Sequence, residues 1–265
     1  MNRVLVSARM VAREVLRNRT AVSFLFAVPT ILYVLIEVTT GARMIPFQLR
    51  AHGGILLGSE RTLSLLFMGT TAMCGLLAFL AFVLTWRPIQ TDRRLVFEGF
   101  RPWELLGAKA LVLAGAAGAV AVYVTGLLLF FFQPPRLGGV LLGFFLAGLI
   151  YGFLGIVIGV LSRRELDGIL ALLLLVNLDP GWLQNPVFYT GAQHRAVIHW
   201  LPSHHPSQLA LLSVFTEKPL LAELLPAGAW LLAFATVAAV GFRLRIGLVR
   251  SRGAEGSRRS TGLPG

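Results

Sequence analysis

Long apolar runs separated by short charged segments constrain this sequence more than any other feature. An α-helix needs about 20 apolar residues to cross the roughly 30 Å hydrocarbon core of a bilayer. Hydrophobic residues make up 56% of the chain and charged residues 14%, whereas roughly 25% of the residues in a soluble domain are charged. The sequence therefore predicts an all-α integral membrane protein with six transmembrane helices. The expected spans are about 21–40, 62–85, 110–132 and 137–161, a fifth that starts at residue 168, and a sixth at about 224–242.

Residues 1–20 are predicted to form an amphipathic helix that lies in the membrane interface and precedes the first span. At about 100° per residue, apolar side chains fall on one half of this helix and most of the polar ones on the other. The apolar half consists of Val4, Leu5, Ala8, Val11, Ala12, Val15 and Leu16. Basic helices with one apolar face lie in the plane of the interface. The alternative is a plain cytosolic extension of the first span.

The distribution of basic residues predicts the orientation of the spans. With the N-terminus inside, eighteen of the 24 lysines and arginines fall in cytosolic segments. Because basic residues are enriched on the cytosolic side of membrane proteins, we expect both termini in the cytosol and the chain in the plasma membrane. The net charge of +12 is thereby explained by topology, without nucleic-acid binding. Residues 249–265 are expected to be a basic, flexible tail.

A charged loop at about 86–109 interrupts the apolar pattern between the second and third spans. Pro88 lies where a helix could begin, Gly99 where it could end, and Pro102 where the next helix could start. The loop is therefore predicted to form a short surface helix, a turn and a second helix that returns to the bilayer. Such a surface helix could be the docking site of a soluble partner.

Glycines in the fourth span predict close helix packing. Gly148, Gly152, Gly155 and Gly159 place small residues on one helical face, and such faces allow helix backbones to approach one another in membranes.

The chain lacks the sequence motifs of common catalytic sites. It contains no Gly-x-x-x-x-Gly-Lys-Ser/Thr loop for nucleotide phosphates, so any ATP hydrolysis must take place in another chain. It is not predicted to be an enzyme or to hold a cofactor or metal. The histidines from His194 to His205 are interpreted as ordinary loop residues, because the adjacent His204 and His205 cannot share one helical face and no acidic cluster accompanies them.

The fifth span is interrupted by Asn177, Asp179, Pro180 and Gly181, and the first three are the candidate pathway or helix-break residues. Asp179 follows about eleven residues of the span, which at 1.5 Å per residue is roughly 16 Å and close to the bilayer midplane. An ionisable residue at that depth is costly and by default indicates a functional site. Two alternatives are that Asp179 only caps a helix break, or that the span is short and leaves Asp179 outside.

In order and spacing, three segments resemble the permease subunits of type 2 ABC exporters, a resemblance that covers about residues 2–248. Residues 11–35, VAREVLRNRTAVSFLFAVPTILYVL, are similar to the interfacial connecting helix and first span of that family. Residues 93–111, RRLVFEGFRPWELLGAKAL, resemble its coupling-helix loop, and residues 201–215, LPSHHPSQLALLSVF, its external re-entrant segment, here about 182–223. The polar NLDPGWLQNP in the fifth span departs from the family pattern.

The resemblance implies a permease that moves a hydrophobic small molecule, peptide or lipid by alternating access. Its implied partners are cytosolic ABC ATPase subunits that carry ATP and Mg²⁺, a second permease chain, the same or related, and membrane lipid. Coupling to the ATPase falls to Arg93, Arg94, Phe97, Glu98, Phe100 and Arg101. Two other hypotheses remain: a membrane assembly subunit without a transport pathway, and a proton-coupled secondary transporter that uses Asp179.

Overall fold

The computed structural model of the protein describes residues 3–49, 54–185 and 195–260. The chain is 81% helical, and among the described residues six helices are long and apolar enough to cross a membrane. These six helices indicate a multi-pass membrane protein. The helices are α1 Arg3–Arg17, α2 Arg19–Thr39, α3 Glu60–Trp86, α4 Ile89–Phe97, α5 Pro102–Leu128, α6 Leu137–Leu161, α7 Glu165–Leu178, α8 His204–Phe215 and α9 Leu221–Ser260.

The candidate spans agree with the predicted ones to within about three residues, except for the third. They comprise α2, α3, α5, α6, α7 together with the π-helical turn Asp179–Leu183, and α9 as far as Arg245. The helix of the third, α5, begins at Pro102, where the sequence predicts a helix start, and it ends at Leu128 rather than at 132. The fifth begins at Glu165 rather than at 168.

The helices α3 and α6 form the centre of the bundle and are mostly buried. Their close approach depends on the glycine face of α6. A Cβ atom added at Gly155 would lie 2.1 Å from the carbonyl oxygen of Ala78, and one at Gly148 would lie 2.8 Å from Met73. The predicted close packing is confirmed. By contrast, α2, α7 and α9 expose most of their apolar surface.

A β-hairpin between α2 and α3 was not predicted. Strands β1 Met44–Gln48 and β2 Ile55–Ser59 pair antiparallel, from Met44 opposite Ser59 to Gln48 opposite Ile55. Their burial alternates along each strand, which is the period of a half-buried sheet. The buried ring of Phe47 packs edge-on against Phe215 of α8, with the centroids 4.8 Å apart, so the hairpin covers the end of α8. Within the described residues the fold is therefore α-helical except for this hairpin.

The C-terminal helix α9 extends to Ser260, into residues 249–265, which were expected to be a flexible tail. No proline interrupts the chain between Pro226 and Pro264, so the helical hydrogen bonding can continue.

Candidate functional site

The turn between α4 and α5 has the geometry that the prolines and glycine predict. Gly99 has φ of +98°, a left-handed conformation that glycine adopts without strain. Its N–H donates to the carbonyl of Val96 at 3.2 Å, and the N–H of Phe100 donates to that of Leu95 at 3.0 Å, the Schellman pattern of a helix end. Pro102 lies in the first turn of α5. The predicted order of helix, turn and helix is confirmed.

A buried ion pair fixes α4 to α5. The ammonium of Lys109 donates to Asp92 at 2.5 Å, and the two side chains are only 4% and 8% exposed. Burial raises the pKa of the Asp92 carboxyl, and the positive charge of Lys109 opposes that effect. Since a charge buried without its partner is strongly destabilising, α4 and α5 are expected to move as one body.

Two further contacts attach the ends of α4 to neighbouring helices. Before its start, Arg87 donates to Glu165 at the beginning of α7, at 3.1 Å. After its end, the guanidinium of Arg3 on α1 donates to the carbonyl of Gly99 at 3.1 Å and lies 5.7 Å from the centroid of the Phe100 ring. The position of α4 is therefore linked to α1, α5 and α7.

The outer side of this turn presents an exposed surface that combines cations and aromatic rings. We define the turn surface as Arg94, Phe97, Glu98, Arg101 and Trp103, all of which are exposed. Phe97 is 65% and Trp103 59% exposed, and both stand beside exposed arginines; aromatic side chains and arginines are enriched at protein–protein interfaces. The guanidinium of Arg101 lies 6.0 Å from the centroid of the Trp103 ring.

The six predicted coupling residues do not all share this surface. Arg94, Phe97, Glu98 and Arg101 belong to it, but Arg93 and Phe100 are half-buried. The helical period turns Arg93 inward beside the buried Asp92, and the guanidinium of Arg3 lies over the ring of Phe100. Trp103 and the Asp92–Lys109 pair were missed by sequence reasoning, and the 17-residue separation of that pair follows no local pattern.

A second group of polar residues surrounds Asp179, which is 4% exposed. Its carboxylate accepts four hydrogen bonds. They come from the hydroxyl of Tyr151 on α6 at 2.5 Å, the side-chain amide of Gln184 at 3.0 Å, and the hydroxyl and backbone N–H of Ser203 at 2.6 and 3.1 Å. Four donors compensate the loss of water around a buried carboxylate, and they join the end of α7 to α6 and to the start of α8.

The other two residues of the predicted helix break do not join this cluster. Asn177 is exposed and donates to the carbonyl of Leu173 in its own helix at 2.7 Å. Pro180 is buried, and its carbonyl accepts a hydrogen bond from Thr71 on α3 at 2.8 Å. The break itself is a π-helical turn, Asp179–Leu183. Asp179 thus does more than cap its own helix, because its partners belong to other elements.

The histidines of α8 were wrongly interpreted as loop residues. His204 and His205 form the first turn of a buried helix. His204 Nδ1 lies 2.9 Å from Oε1 of Gln184, and His205 Nδ1 lies 2.6 Å from Oε2 of Glu223 on α9. Helical geometry sends adjacent side chains in different directions, so each reaches a different partner. His194 lies outside the described residues, and among those described no group of three or more His, Cys, Asp or Glu could hold a metal ion.

The segment expected to be re-entrant, about 182–223, contains the buried helix α8. Its 12 residues span about 18 Å at 1.5 Å per residue, too little to cross a bilayer. At its C-terminal end, Arg136 donates to the carbonyls of Leu212 and Thr216, and Ser203 and His205 hold its N-terminal end. Residues 186–194 of this segment lie outside the described residues.

The turn surface and the Asp179 cluster differ in their accessibility to a partner. The turn surface is exposed and linked to the spans beneath it, whereas the Asp179 cluster is enclosed and joins helices to one another. Comparison of the sequence with protein-family models and with curated proteins finds no match.

Proposed function

We propose that this chain is the transmembrane permease subunit of an ABC exporter, powered by separate ATPase subunits that dock on the turn surface. The observation that carries the proposal is the short helix α4, fixed to α5 by a buried ion pair. The end of α4 exposes Phe97 and Arg94, and the start of α5 exposes Trp103 and Arg101. An ATPase that hydrolyses ATP and binds Mg²⁺ would push on this surface. The permease needs no nucleotide site of its own.

Movement of α4 would pass into the bundle through its connections. Asp92 and Lys109 transmit it to α5, and the continuous chain from Trp86 to Ile89 transmits it to α3, which packs on α6. Two such permease chains, the same or related, would enclose a pathway that opens alternately to each side. The proposed substrate is a hydrophobic small molecule, peptide or lipid.

In this proposal the chain lies in the plasma membrane with both termini in the cytosol. The basic residues support that orientation. It places the turn surface in the cytosol and α8 on the external side. The proposal also places α1 in the interface, since it packs on α5 and buries Ser7 and Ala8 while Leu5 and Leu16 stay exposed. Exposed leucines beside arginines suit the boundary between headgroups and acyl chains.

The competing proposals are a proton-coupled carrier that uses Asp179 and an assembly subunit without a pathway. The four donors around Asp179 favour a structural role, because they occupy both carboxylate oxygens and join the end of α7 to α6 and to the start of α8.

A reconstitution experiment tests the proposal. The full chain would be assembled in vesicles with the ABC ATPase that co-purifies with it, and ATP-dependent transport and ATPase binding would be measured. Reversal of both Arg94 and Arg101 to Glu should abolish binding and transport. The control is Arg163→Glu, which reverses an exposed arginine in the loop between α6 and α7 and should leave both unchanged. Full activity in the double variant, or transport without any ATPase, would overturn the proposal.

A further inference from the structure

A groove of about 480 Å³ runs between α2 and α3, within the range of roughly 300–1,000 Å³ that is common for ligand sites. Most of its wall is apolar. Phe24 and Val28 line it from α2, and Leu76, Phe79 and Leu80 line it from α3. A groove with such a wall on the outside of a bundle of spans accepts a hydrocarbon chain more readily than any polar ligand.

The length of the groove matches one leaflet of a bilayer. On α2 it extends from Asn18 to Val28, and on α3 from Gly75 to Arg87. These intervals of ten and twelve residues correspond to about 15 and 18 Å at 1.5 Å per residue. Half of the hydrocarbon core is about 15 Å. An acyl chain in this groove would therefore reach from the interface to the middle of the membrane.

The polar lining residues are gathered at one end of the groove. Asn18, Thr20 and Arg87 lie there, and the exposed Arg17 and Arg19 adjoin Asn18 in sequence. Arg87 donates through Nε and Nη2 to Glu165, and within the described part of the chain its Nη1 donates to no residue. Its side chain is 61% exposed. This end therefore offers a cation where a phospholipid would carry its phosphate.

We infer that the groove binds one acyl chain of an anionic phospholipid from the surrounding bilayer, with the headgroup phosphate beside Arg87. The apolar wall recognises the chain, and Arg87 distinguishes anionic from zwitterionic headgroups. Glu165 competes with the phosphate for the same guanidinium. The site faces the leaflet on the side of α4, and it is independent of the proposed function, since any membrane protein with this groove would bind the lipid.

Native mass spectrometry of the full-length chain in detergent tests the inference, with phosphatidylglycerol and phosphatidylcholine of identical acyl chains as probes. The wild type should bind phosphatidylglycerol about fivefold more tightly than phosphatidylcholine, which is the effect of one basic residue near an anionic lipid. Ala21→Phe fills the polar end of the groove and should abolish retention. The matched control is Ala27→Phe, on the same helix but outside the groove and exposed, which should bind like the wild type.

Two further variants separate recognition of the headgroup from loss of the ion pair. Arg87→Gln and Glu165→Gln both break the same contact, yet the first should remove the preference for phosphatidylglycerol and the second should increase it. If both variants changed the preference for phosphatidylglycerol in the same direction, the role of Arg87 would be overturned. If Ala21→Phe and Ala27→Phe retained phosphatidylglycerol equally well, the groove would not be the binding site. A change of oligomeric mass in Ala21→Phe alone would also overturn it, because a second copy of the chain would then occupy the groove.

Discussion

The buried pair of Asp92 and Lys109 makes a quantitative prediction about stability. Removal of one partner leaves the other charge enclosed, because the two side chains are 8% and 4% exposed. Breaking a buried pair in this way costs about 3–5 kcal/mol. For a chain of this size each kcal/mol shifts the melting temperature by about 2–4 °C. We expect Lys109→Met and Asp92→Asn to melt about 6–20 °C below the wild type in detergent, as measured by thermal unfolding.

Replacement of both partners separates the interaction from the burial of each charge. The double variant Asp92→Leu with Lys109→Met leaves no charge in the site, and buried ion pairs exchanged for apolar residues are often close to neutral. It should therefore melt closer to the wild type than either single variant. If both single variants melted within about 2 °C of the wild type, the claim that this pair fixes α4 to α5 would be refuted.

The dependence on pH gives an independent check. Burial raises the pKa of Asp92 in the folded chain, and the loss of Lys109 removes the opposing effect. A carboxyl whose pKa is higher in the folded than in the unfolded state binds more protons when folded, so its contribution to stability falls as pH rises through the folded pKa. Lys109→Met should thus regain stability between pH 7.5 and pH 5 relative to the wild type. Asp92→Asn has no carboxyl to protonate and should not.

Three other substitutions test features of the fold, each by its melting temperature and by the amount of chain recovered in membranes. Asp179→Ala removes the acceptor of four hydrogen bonds and should lower the free energy of unfolding by about 3 kcal/mol. Asp179→Asn keeps one acceptor oxygen and should lower it by less. Equal stability of the alanine variant and the wild type would contradict the anchoring role of Asp179. Gly155→Ala should cost about 1–3 kcal/mol because it forces α6 away from α3, while Gly115→Ala, which meets no atom within 4 Å, should not destabilise. Gly99→Ala should cost about 1–2 kcal/mol because of its positive φ. Gly41→Ala is the control, because a Cβ meets no atom within 4 Å at either glycine but the φ of Gly41 is not positive.

Hydropathy and helix-ending residues predicted the parts of the fold that depend on nearby residues. The six spans follow from the length of the apolar runs, and the order of α4, turn and α5 follows from Pro88, Gly99 and Pro102. These signals are local, so the residue types themselves carry them. Asp179 was identified as a residue of interest for the same reason, since its cost in an apolar segment does not depend on knowing its partners.

Contacts between distant parts of the chain could not be predicted in the same way. Tyr151 and Ser203 reach Asp179 across 28 and 24 residues, and no periodicity in the sequence connects them. The hairpin of β1 and β2 is too short for its alternation to stand out. His205 was misplaced because a helix enclosed by other helices needs no amphipathic pattern, and its burial depends on Glu223 of α9.

The three attachments of α8 have a consequence for how the protein is made. This helix is too short to settle across a bilayer by itself, and its polar ends are satisfied by residues of α7, α9 and the loop before α6. Asp179 and Arg136 precede it in the chain, but Glu223 is synthesised after it. While the ribosome is still producing α9, His205 lacks its carboxylate, and α8 cannot yet be completely docked. We therefore expect α8 to become protected from proteases only after Glu223 has been synthesised, and chains truncated before Glu223 to be recognised as incomplete by membrane quality control.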